Sequence, residues 1–86
     1  MAASHDFSHS FAIKGGDFSK AGSVSLEIKE ILRELGIDPA IVRRAAIASY
    51  EAEMNVVMYA ERGEVVLQLD PRTIRIRLDD EGPGIQ

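Results

Sequence analysis

Asp80-Glu81-Gly82-Pro83-Gly84-Ile85-Gln86, read together with Glu51-Ala52-Glu53-Met54-Asn55 upstream of it, is the stretch on which the interpretation of this chain turns. An acidic residue leaves an alternating segment into a Gly-x-Gly turn, and a Glu and an Asn stand four apart on the helix before it. Residues at i and i+4 share a helix face, so Glu51 and Asn55 project together and Tyr59 continues their row by another turn. Asp80 can accept a hydrogen bond from an exocyclic amine. Gly82 and Gly84 let the backbone lie close to a flat ring, and Ile85 supplies an apolar wall. Each element also has a plain alternative. Glu and Asn at this spacing are common on solvated helix faces, and Asp-Glu-Gly-Pro-Gly taken alone reads as a surface turn.

Outward from these two stretches, periodicity divides the chain into five elements. Phe7, His9, Phe11 and Ile13 alternate with Ser8, Ser10 and Ala12, the period of a strand with one better-buried face. Gly15-Gly16 breaks it. Asp17 is then the expected cap of a helix carrying Val24, Ile28, Ile31, Leu32 and Leu35 at a 3.6-residue period and closing at Gly36. Asp38 at the N-cap and Pro39 at the first helical position open a second helix, expected to run to about Tyr59 or Ala60. Val65, Leu67 and Leu69 form a second alternating strand, and Asp70-Pro71-Arg72 turns the chain. Ile74, Ile76 and Leu78 alternate with Arg75, Arg77 and Asp79 in a third. The expectation is an α+β fold, a two-layer sandwich with two helices on one face of an antiparallel or mixed sheet.

Composition narrows the classes of function. With 86 residues and 45% hydrophobic content, the chain supports one small domain and no second. The net charge of -4 arises from interspersed acids and bases without a basic stripe, so nucleic acid is not an expected partner. No cysteine is present, which excludes disulfides and thiolate metal sites. The N-terminus lacks a basic segment followed by an apolar run, and no stretch approaches the roughly 20 apolar residues of a membrane span. A cytoplasmic protein with no membrane partner is expected. Neither Gly-x-x-x-x-Gly-Lys-Ser/Thr nor Gly-x-Gly-x-x-Gly occurs. His5 and His9 lack companion ligands at metal spacing and read as surface or strand residues, while Glu53, Tyr50 and Tyr59 read as a surface acid and two packing aromatics.

The order strand, helix, helix with Glu51-x-x-x-Asn55, hairpin, then Asp80-x-Gly82-x-Gly84-Ile85 resembles the GHKL, or Bergerat-fold, superfamily. Its members include DNA gyrase B subunits, large ATP-clamp chaperones, sensor histidine kinases and mismatch-repair ATPases. Glu51 and Asn55 match its N box, and Asp80, Gly82 and Gly84 its first glycine box. Within it, Tyr50-Glu51-Ala52-Glu53-Met54-Asn55 and Asp80 to Ile85 look most like bacterial anti-sigma-factor serine kinases and the stressosome switch kinase. Tyr59, where the anti-sigma kinases usually carry His, is closer to the switch-kinase branch. The likeness runs from about Phe7 to Ile85.

The resemblance implies a histidine-kinase-like ATPase domain, of which residues 1–86 are the N-terminal portion. Asn55 would ligand Mg²⁺ on the phosphates and Glu51 would act as general base. Asp80 would read adenine N6, and Gly82, Gly84 and Ile85 would shape the base pocket. ATP and Mg²⁺ are the implied cofactors. The implied activity is transfer of the γ-phosphate to Ser or Thr of an antagonist protein, with a sigma factor as a further partner. The family continues beyond its first glycine box into an ATP lid and a second glycine box, so this stretch on its own is expected to be a poor catalyst. The alternative is a non-catalytic interaction module that self-associates to complete its sheet.

Overall fold

A computed structural model describes residues 7–81. The strands are β1 (Phe7–Lys14), β2 (Arg62–Leu69) and β3 (Ile74–Glu81), and the helices are α1 (Ser23–Glu34) and α2 (Pro39–Tyr59), with a single 3₁₀ turn at Phe18–Lys20. The fold is α+β. The sheet is antiparallel throughout, in the order β1-β2-β3, so the mixed alternative does not apply.

Register assigns the two faces of the sheet. Val65 pairs with Phe11 and Leu78, and Leu67 with His9 and Ile76, so the odd residues of β2 share one face with the apolar rows of both neighbours. That face meets the helices. Phe11, Ile13, Val65, Leu67 and Leu69 join Val24, Ile28 and Leu32 of α1 and Val42, Ala45, Val56 and Val57 of α2 in one core. Ile74, Ile76 and Leu78 are half-buried against it, because β3 is an edge strand with a neighbour on one side only. β1 is the other edge, and its expected buried row is accordingly buried only at Phe11 and Ile13. Phe7 and His9 are exposed, and the His9 ring bridges the two phenylalanines, stacked on Phe7 and edge-on to Phe11. Val66 points to the opposite face, yet the strands on either side bury it.

The helix ends are set by local chemistry. α1 closes in a Schellman arrangement, in which Ile37 N–H donates to the Leu32 carbonyl and Gly36 N–H to that of Arg33. Gly36 takes φ 77°, a left-handed conformation that a Cβ would strain. Asp38 accepts from Ala40 N–H at 2.8 Å, with Pro39 following it at the start of α2. The expected start of α1 at Asp17 is corrected. Asp17 instead precedes the 3₁₀ turn and accepts from the Ser19 hydroxyl, and α1 begins six residues later, after Gly22 in the left-handed region. A local Ser–Asp bond has competed successfully with a helix start.

The β2–β3 connection is organised by Asp70, whose carboxylate accepts from the backbone N–H groups of Arg72 and Thr73 and from the Thr73 hydroxyl. The Arg72 N–H, then the Thr73 hydroxyl, hold the Asp70 carboxyl below its ordinary value of 3.8. A depressed folded-state value gives stability that is fully present above the unfolded value and is lost as pH falls through the folded one. Asp70→Ala is therefore expected to lower the urea midpoint at pH 7 and to flatten its decline below about pH 4, as read from unfolding curves at a series of pH values.

Candidate functional site

α2 carries most of the residues singled out by sequence. Its buried stripe is Val42, Ala45, Ser49, Glu53, Val56 and Val57. Glu53 and Val57 face α1 and β1, together with Ile13 and Val24. At about 100° per residue, the row Glu51, Asn55 and Tyr59 lies roughly 200° around the helix from Glu53 and Val57. Glu51, Asn55 and Tyr59 are all exposed.

Asp80 belongs to the sheet. It pairs with Gly63, an odd residue of β2, and therefore lies on the helix-facing side, one residue from the end of β3. At Gly63 α2 comes close to the sheet. A Cβ added there would stand 2.6 Å from Val56 Cγ2 and 3.2 Å from the Asp80 Cβ. Val56 is the residue after Asn55, so the close approach brings the Asn55 segment of α2 over the strand pair that carries Asp80. Asn55 and Asp80 are both exposed, and among the described residues neither makes a hydrogen bond or ion pair. Val56, next to Asn55 in α2, and Asp80 of β3 thus both border Gly63. Gly82, Gly84 and Ile85, like His5, lie outside the described residues.

Glu51 stands apart from this pair. Although it belongs to the Asn55 row, it also lies on the lip of an outer groove between α1 and α2, lined by Lys29, Arg33, Arg43 and Ile47 among others. Its carboxylate is solvated. Tyr50 and Tyr59, expected to pack, are 46% and 65% exposed and present their rings outward, because neither faces the sheet from α2.

Glu53 corrects the expectation of a surface acid. It is 2% exposed, and its Oε2 lies 3.5 Å from Val24 N–H in the first turn of α1. That distance is at the limit of a hydrogen bond, so the carboxylate acts chiefly as a negative charge at the positive end of a helix. Gly22 has no side chain with which to cap α1, and Glu53 fills that role from 29 residues away. The other oxygen, Oε1, meets no donor among the described residues. The signal available in sequence was the position of Glu53, one turn after Ser49 and one before Val57 on the buried stripe.

Mg²⁺ bound with ATP takes most of its oxygens from phosphates and water, and one protein oxygen suffices to anchor it. The exposed Asn55 amide is suited to that task. Among the described residues, no three His, Cys, Asp or Glu side chains converge as a metal site, and no helix is long and apolar enough to cross a membrane. Glu53→Ala is expected to lower stability by about 1–3 kcal/mol, since it removes the charge at the start of α1 and opens a cavity. Glu53→Gln, which keeps an acceptor of the same shape, should cost less; urea unfolding of the two variants measures the difference. Compared with known proteins, the chain matches no family model, no curated protein and no solved structure.

Proposed function

We propose that this chain binds ATP with Mg²⁺ as the adenine-side portion of a Bergerat-type domain, in a serine/threonine protein kinase that phosphorylates an antagonist protein in a sigma-factor or partner-switching cascade. The observation that supports the reading is that Val56, next to Asn55 in α2, packs on Gly63, the β2 partner of Asp80. In this reading the Asp80 carboxylate accepts from the exocyclic amine of adenine, and the Asn55 amide oxygen ligands the metal. Glu51, one turn before Asn55, takes the proton from the attacking hydroxyl. Its open position on the rim leaves room for a protein substrate to present that hydroxyl. Gly82, Gly84 and Ile85 belong to the base pocket by the resemblance alone.

A second reading, a non-catalytic module that self-associates, is favoured by one feature of the sheet. β1 and β3 are both edges, each pairing only with β2 among the described residues. Unpaired backbone groups along such an edge are a template for another chain.

Calorimetric titration with ATP and Mg²⁺ tests the first reading. Asp80→Asn is expected to weaken binding by about tenfold or more, as loss of a charge-assisted hydrogen bond would, and Asn55→Ala to remove the dependence of affinity on Mg²⁺. Absence of binding at millimolar ATP sinks it. For the second reading, sedimentation velocity should show a mass that rises with concentration, and a monomer throughout would refute it.

A further inference from the structure

The outer surfaces of α1 and α2 enclose a groove of about 790 Å³, on the side of the helix layer away from the sheet. Its apolar lining includes Ile37, Val42, Ile47 and Tyr50. Ile47 is 53% exposed and adds to the apolar lining of the groove. Lys29 and Arg33 stand four apart on the α1 wall, and Arg43 stands on the α2 wall four residues before Ile47. These three cations make no hydrogen bond or ion pair among the described residues. Glu51 is the one carboxylate in the lining. The groove is thus locally positive in a chain whose net charge is -4.

We infer that this groove is a docking site for an amphipathic α-helix of another protein, with an apolar stripe flanked by Asp and Glu. Two features select the occupant. Both walls are helices, whose backbone groups are already paired within the helix, so an added strand would find no ladder to join, whereas a third helix can seat its ridges between the other two. The cations along both lips then face the acidic flanks of the incoming helix, setting its orientation and discriminating against basic partners. Apolar contact with Ile37, Ile47 and Tyr50 supplies the anchor. The inference stands apart from the nucleotide reading, since of the described residues given a role there only Glu51 lines the groove.

The test uses the whole chain, ¹⁵N-labelled, titrated with a synthetic helical peptide of about 15 residues, four turns, carrying Leu at every third or fourth position and Glu between. Amides of Lys29, Arg33, Ile47 and Tyr50 are expected to shift. The double variant Arg33→Glu with Arg43→Glu, both exposed and hence expected to fold as the parent does, should bind about tenfold more weakly. A peptide with Lys in place of Glu should bind that variant better than it binds the parent, a reversal that loss of structure does not produce. The inference is overturned if the acidic peptide does not bind, if the Lys peptide binds the parent equally well, or if the shifts fall on the sheet instead. It is also overturned if the chain self-associates through this face, seen as a concentration-dependent mass that Ile47→Glu abolishes.

Discussion

The packing of Val56 on Gly63 is the constraint from which the rest of the arrangement follows. Helix–sheet separation is normally set by side chains on both surfaces, but at Gly63 one of them is missing and the Val56 methyl occupies the space a Cβ would need. α2 is thereby drawn down at its C-terminal half onto the central strand. Its continuation is fixed there too, since Gly16 N–H donates to the Val57 carbonyl and Gly15 N–H to that of Glu61. A side chain at Gly63 would force the Val56 methyl or its surroundings to shift.

With α2 seated in this way, its surface divides into functions by angle. The stripe through Val42, Ala45, Ser49 and Val56 makes the core, the side through Glu53 and Val57 meets α1 and β1, and Asn55 is exposed on another flank. The outermost strip, with Arg43 and Ile47, forms one wall of the basic-lipped groove. A 21-residue helix has enough turns to carry all four roles without conflict, because residues three or four apart keep each role in its own line. Glu51, one turn before Asn55, lies at the rim of that groove.

The interior polar contacts follow the same economy. Ser49 is fully buried but returns its hydroxyl to the carbonyls of Ala45 and Ala46, so it adds no unpaired donor to the core. Glu53 is the exception, a carboxylate held among apolar residues by its position at the start of α1. It links the start of α1 to the middle of α2.

Strands, helices and the turn at Asp70 were legible in the sequence because their causes are local. Alternation at Phe11 and Ile13, the 3.6-residue spacing from Val24 to Leu32, Asp38-Pro39 and Gly36 each act within a few residues of themselves. The pairing of Glu51 with Asn55 on one face was legible for the same reason. The burial of Glu53, the exposure of Tyr59, the late start of α1 and the charged groove between the helices were not. Each depends on what another segment places opposite, from Val24 across from Glu53 to α1 beside Arg43, and periodicity carries no information about the partner. The sequence alone determined which residues share a face of their own element, because backbone geometry is local; which of those faces meet was decided only by tertiary packing, through close approaches such as those at Gly15 and Gly63.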